Sequence, residues 1–292
     1  AVYRGKNLGS AVTAAQWAAI EAGTFEDLFI GDYWTINDVN WRIAAFDYYY
    51  NTGDVLCTTP HVVIVTEASL YETAMNSSQS TAGGYVASTM YTSGLAAALA
   101  TVKSAFGDDH ILTHRQIFCN AVTNGIPSGY GFYDNQIALM TEQSVFGGKF
   151  YGAAKTSTQT PSLMTLDNAQ YPLFAHNHAL INVPDKWVGL RDVVSATSYA
   201  RVTSRGSPDY TANITNPIAV RPAFSIKASR SVICCTKSHW PTARRWKISC
   251  STATTTLLPR RWMTPFSRAT WRASPSRISR TAPPSRSRTA YC

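Results

Sequence analysis

Apolar residues recur at every second position or close to it around Asn37-Asp38, at Trp34, Ile36, Val39, Trp41, Ile43 and Ala45. Asn and Asp tolerate positive φ, so this pattern predicts a β-hairpin over 34–46 with a two-residue turn. The run 61–66 is short and dominated by Val and Ile, which predicts a buried strand. Thr13-Ala14-Ala15-Gln16 has capping-box spacing and opens a short helix that carries Trp17 and Ile20 and stops at Gly23. The clearest helical period starts at Ser93, read as its N-cap, and places Leu95, Leu99, Val102 and Phe106 on one face before Gly107. That face is expected to pack on a sheet. A further helix is expected over 134–146, bearing Ile137, Met140 and Val145, followed by loop through 152–160.

Short β-type runs follow at 188–194, 199–203 and 219–226, separated by turn-rich stretches such as 204–209. Strands and helices mix without regular alternation, which predicts an α+β fold with loop-rich antiparallel sheet and a few helices, not a doubly wound parallel one. No internal repeat is visible.

Charge divides the chain. Residues 1–226 hold 12 Lys and Arg against 17 Asp and Glu, a balance of −5, whereas 227–292 hold the other 14 basic residues and no acidic one. This second stretch also lacks Gly, Asn and Gln, is rich in Ser, Thr, Arg, Pro and Ala, and shows no amphipathic period. Its basic and aromatic mixture, at Arg244-Arg245-Trp246-Lys247 and Arg260-Arg261-Trp262, suits phosphate neutralisation with stacking. Its composition is better matched by a coding region read out of frame beyond Ile226, with a disordered product. Two segments are therefore expected, a recognition domain over 1–226 and a basic tail over 227–292. Nucleic acid is a partner only if the tail is genuine.

Cys57 and Cys119 are expected as buried thiols, with one disulfide between them as the alternative, and no cysteine has metal-ligand spacing. The N-terminus lacks the apolar stretch of a signal peptide, and no run approaches the roughly 20 apolar residues that span a bilayer, so a soluble chain without membrane insertion is expected. His110 and His114 have the spacing of a helical metal pair but lack the following Glu, and on a strand their rings would stand about 13 Å apart. His176 and His178 have no third ligand in view. No nucleophile elbow, P-loop or dinucleotide fingerprint is present, and Ser128-Gly129-Tyr130-Gly131 lacks the strand–helix setting those need. No cofactor or metal is expected.

Three segments occur in order: Gly31-Asp32-Tyr33-Trp34 leading to Asn40-Trp41-Arg42-Ile43, then Trp187 through Leu190-Arg191-Asp192-Val193-Val194-Ser195, and Val220-Arg221-Pro222-Ala223-Phe224. Over roughly 3–226 they resemble a domain family of gut bacteria and their phages, related to the C-type-lectin-like variable proteins of diversity-generating retroelements. Ala219 stands where the family has glycine, and Val188-Gly189 separates Trp187 from Leu190-Arg191.

The resemblance implies a C-type-lectin-like scaffold, akin to the formylglycine-generating enzyme, on a phage particle or bacterial surface after synthesis in the bacterial cytoplasm. It implies a non-enzymatic receptor-binding protein whose partners are a host surface protein or glycan and other phage structural proteins. The stretch 198–216 would then be the ligand-binding surface, diversified where a retroelement is present. Its candidates are Ser198, Tyr199, Arg201, Thr203, Ser204, Arg205, Asp209, Tyr210, Asn213, Thr215 and Asn216, with Tyr and Arg as anchors and small polar residues as adaptable contacts. Ordinary solvated loops have the same composition. Trp187, Arg191, Asp192 and Arg221 are expected to be structural, the arginines pairing with a carboxylate or several carbonyls, although ligand contact is the alternative. A virion assembly module is a second reading. An enzyme of the formylglycine-generating type is a third, but Cys57 and Cys119 do not match its cysteine pair.

Overall fold

The computed structural model describes residues 2–152 and 169–229. The basic tail beyond Ser229, and with it nearly all of the 227–292 segment, lies outside the described residues, as does most of the expected 152–160 loop. The described chain is mixed α and β, with mostly antiparallel sheets and few helices.

Its elements in chain order are α1 (Ala14–Ala22), β1 (Tyr33–Ile36), β2 (Val39–Phe46), β3 (Val62–Thr66), β4 (Tyr71–Ala74), α2 (Ala96–Phe106), β5 (His114–Thr123) and β6 (Ile126–Asn135). These are followed by β7 (Ile137–Leu139), α3 (Glu142–Phe146), α4 (Pro172–His176), β8 (Val188–Ser195), β9 (Ser198–Val202), β10 (Pro208–Thr211), β11 (Pro217–Val220) and β12 (Pro222–Ile226). One sheet runs β1-β2-β3-β12-β7, a second β10-β9-β8-β11-β4, and β5 with β6 forms a separate hairpin. The β8–β11 pairing is parallel and the other strand pairs are antiparallel.

Local chemistry fixes several of these elements. Thr13 accepts the Gln16 backbone N–H at 3.2 Å while its own N–H donates to the Gln16 side chain at 2.9 Å, which closes the capping box that starts α1. Asn37 and Asp38 take φ of 53° and 61°, the left-handed pair that turns β1 into β2. Trp41, Phe106 and Phe224 meet at ring separations of 5.5–5.7 Å, so α2 lies by its last residue on the first sheet.

Three expectations need correction. Ser93 is not the N-cap of α2: a wide turn over Met90–Gly94 comes first, the helix starts at Ala96, and the Ser93 hydroxyl donates back to the Thr89 carbonyl at 3.2 Å. An N-cap needs extended backbone, and Leu95, which holds that place, is helical. The segment 134–146 is not one helix: Ile137–Leu139 pairs with β12, and Thr141 then caps the short α3 in a reciprocal pair with Ser144. Within 198–216, the stretch read as loop contains β10, paired residue for residue with β9.

The chain passes from the second sheet to the first between β11 and β12, and Arg221 is the residue at that crossing. It is 1% exposed, and its guanidinium donates to the carbonyls of Thr66 at 2.6 Å, Leu180 at 2.8 Å and Ile181 at 3.2 Å. Pro222, with no N–H to give, begins β12.

Candidate recognition surface

The β9–β10 hairpin is the outer end of the second sheet, and its register places Asp209 opposite Arg201. Both nitrogens that Arg201 turns toward Asp209 bond one carboxylate oxygen, at 3.1 and 2.9 Å. The same guanidinium lies 3.7 Å above the ring of Trp187, which is 41% exposed. A cation over an indole face, fixed by an opposing carboxylate, holds the Arg201 side chain in one place on the surface. Trp187 is therefore a surface residue, not the structural one expected, because Arg201 and not the core covers its face.

Tyr210 follows on the opposite side of the strand, and its ring meets Tyr151 at 5.2 Å, with each ring 41% exposed. Tyr151 is held from below. Glu142 is fully buried, and its carboxylate accepts the backbone N–H groups of Phe150 at 3.2 Å, Tyr151 at 3.0 Å and Gly152 at 2.8 Å. Burial pushes this carboxyl above its ordinary range, with the N–H groups of Gly152, Tyr151 and Phe150 opposing. Gly152 is required here, since a Cβ would stand 2.9 Å from that of Asp192.

The remaining candidates divide by burial. Arg205, Tyr210, Asn213, Thr215 and Asn216 are exposed, and Arg201, Thr203, Ser204 and Asp209 are half-buried. Ser198 and Tyr199 are corrected: both are buried, and the Tyr199 hydroxyl donates to the Gly84 carbonyl at 3.2 Å, so neither is presented to a partner. Burial pushes the Tyr199 phenol upward. Thr203 accepts the N–H groups of Arg205 and Ser207 and so shapes the β9–β10 turn, while Asn213 accepts both the N–H and the hydroxyl of Thr215. Their side chains build the loops that carry Arg205 and Asn216.

Comparison of the chain with protein-family models, curated proteins and solved structures returned no match.

The motif residues elsewhere hold the scaffold. Arg191, buried in β8, donates to Gln116 at 3.1 Å and lies over the Phe118 ring, whereas Asp192 turns away and accepts the Glu142 N–H at 2.7 Å. The two neighbouring residues thus make contacts to opposite sides of β8. Asp32 is fully buried beneath Arg4 and the N–H groups of Lys6 and Phe29, and the Tyr3 ring covers Gly31 so closely that a Cβ would lie 2.2 Å from it.

Neither histidine pair gathers as a site. His110 stacks on Trp17 at 3.8 Å, and His114 lies instead beside His61, with 6.4 Å between ring centroids. Cys57 and Cys119 are both buried and not joined by a disulfide. Among the described residues no three His, Cys, Asp or Glu side chains are placed to hold a metal, and no helix is long and apolar enough to cross a membrane.

The sequence reading missed Glu142, Phe150-Tyr151 and Gln79, whose amide joins the Thr197 carbonyl to the Ile214 N–H and so ties two loops of this surface together. Nothing local marks them. The missed β5–β6 hairpin did carry a signal, Asn124-Gly125, whose φ values of 52° and 76° are those of a tight hairpin turn.

Proposed function

We propose that the chain is a non-enzymatic recognition protein with a C-type-lectin-like scaffold, carried on a phage particle or bacterial surface, that binds a host surface protein or glycan through the β9–β10 hairpin. The observation that carries this reading is Arg201, stacked on exposed Trp187 and clamped by Asp209. Trp, Tyr and Arg dominate binding hot spots, and rigid ones lose little entropy on engagement. Tyr210 with Tyr151 forms a second exposed aromatic pair on the other side of the strand that carries Asp209. The family resemblance supplies the phage setting and the expectation of diversification.

Burial narrows the variable set. Positions free to change without cost to the core are Arg201, Thr203, Ser204, Arg205, Asp209, Tyr210, Asn213, Thr215 and Asn216, whereas Ser198, Tyr199, Ala200, Val202 and Thr211 are buried. Deep sequencing of many copies of the gene tests this. Substitutions concentrated in the first set and sparse in the second support a diversified receptor-binding face. An invariant hairpin in a population where other surface codons vary favours the virion assembly reading.

A further inference from the structure

Away from the hairpin, the chain between β2 and β3 leaves the first sheet at Asp47 and returns to it at His61. Its two ends close on each other, for the Asp47 N–H donates to the His61 carbonyl at 2.9 Å and the His61 N–H to the Asp47 carboxylate at 2.8 Å. Asn51, Asp54, Val55, Leu56 and Thr58 are exposed toward its tip, while the Asn51 N–H meets the Cys57 carbonyl at 2.7 Å and the Cys57 N–H the Thr52 carbonyl at 3.1 Å.

One form of one side chain holds the neck of this loop. His61 is fully buried; its Nδ1 lies 2.9 Å from the Thr59 carbonyl oxygen, and its Nε2 lies 3.1 Å from the Tyr49 backbone nitrogen. A carbonyl can only accept and an amide N–H can only donate, so the ring is neutral, carries its proton on Nδ1 and ties Tyr49 to Thr59 across the loop. A second proton, on Nε2, would set one N–H against another and end the bond to Tyr49.

The surroundings oppose that proton. Among the described residues, the titratable groups that face His61 are Asp47, whose Oδ1 is 3.7 Å from Nδ1, and Tyr49, whose ring stacks at 5.8 Å and whose hydroxyl meets that of Tyr171 at 2.9 Å. From β5 comes His114, 6.4 Å away between ring centroids and itself under the charge of Arg191. The Cys57 thiol, near Asp47, is pushed up by burial, and β3 brings no titratable side chain. Burial outweighs the Thr59 carbonyl and Asp47, so His61 titrates below its ordinary value in the closed loop and closer to that value once the loop lifts. Closure is therefore fully supported above about pH 6.5 and loses support as pH falls from there. We propose that 47–61 is an acid-released strap, in which proton uptake at His61 breaks its tie to Tyr49 and frees residues 48–60 while both sheets stay folded. The strap stands whether or not the hairpin is a recognition face.

Hydrogen exchange of the full chain between about pH 7 and 4.5, read peptide by peptide and divided by the intrinsic rate at each pH, tests the strap. Protection over 48–60 is expected to fall tenfold or more and to end at least tenfold below that of β2. Exchange over 48–60 should also be unchanged by about 1 M urea, which speeds β2, because a local opening exposes little surface. His114→Phe removes the second buried histidine and should keep at least a threefold fall. His61→Gln added to it keeps an acceptor toward Tyr49, takes no proton and should flatten the profile. Where either variant fails to fold, the urea comparison on the unaltered chain decides. Constant protection over 48–60, exchange there at the rate and urea dependence of β2, or a fall that survives His61→Gln in the His114→Phe background overturns the proposal.

Discussion

Arg221 and Arg201 put the same side chain to opposite uses, one where the chain crosses between sheets and one at the outer end of a hairpin. At the crossing, the guanidinium is sealed from water, bonds three carbonyls, and is held by burial down to about 10, with Arg42 lowering it further and Glu67 opposing. At the hairpin it keeps solvent contact, rests on an indole and meets one carboxylate. The first geometry is closed to any partner by burial, although its Nη2 is left without a hydrogen bond. The second has its side chain already ordered, which is the costly part of making an arginine contact across an interface.

Removing each arginine should therefore separate stability from binding. Arg221→Ala strands three buried carbonyls and opens a cavity, and is expected to lower stability by about 3–5 kcal/mol. Urea denaturation with an unchanged m value checks this, and a loss below about 1 kcal/mol would mean that the crossing closes without the guanidinium.

Acid should strike the scaffold next. His61 and His114 are both held neutral, mainly by burial, with His114 down to about 3. Because the folded values lie below the unfolded one, their contribution is complete above the unfolded value near 6.5 and is lost as pH falls from there through each folded value, about 3 for His114. The slope approaches about 1.4 kcal/mol per pH unit for each histidine. The carboxyls of Asp27 and Asp54 are held below their ordinary range chiefly by hydrogen bonds from Arg4 and Arg115, so their effect appears only at lower pH. Urea midpoints between pH 7 and 4.5 check this, with the raised Glu142 carboxyl working in the opposite sense over the same range, so a Glu142→Gln background isolates the histidines; a flat profile in that background would contradict their burial as neutral rings.

The smallest expected effect on folding is at the hairpin. Arg201→Ala removes a part-exposed ion pair and a stacking contact, for about 1 kcal/mol or less, and Arg205→Ala should change stability by no more than about 0.5 kcal/mol. A large loss from Arg201→Ala would move it into the same structural class as Arg221.

What was legible in the sequence was decided by neighbours in the chain. The Thr13–Gln16 box, the Asn37-Asp38 turn and the Val-rich third strand depend on contacts a few residues apart, and each formed where expected. Burial at the hairpin depends on remote partners. Tyr199 faces inward because the Gly84 carbonyl waits for its hydroxyl, and Trp187 stays outside because Arg201 reaches it from another strand. Composition could not separate these from solvated loop residues. In β6, Pro127, Gly129 and Gly131 dilute the alternation that would have announced a strand, although its turn was written plainly.

The most direct test of recognition by this hairpin is binding of the labelled full chain to a panel of cultured gut bacteria, read by flow cytometry for the unaltered protein and for Arg201→Ala and Trp187→Ala. Binding to a subset of strains, reduced at least tenfold by either substitution while the urea midpoint holds, is the expected result. Binding that both substitutions leave intact, or no binding to any strain, would contradict it.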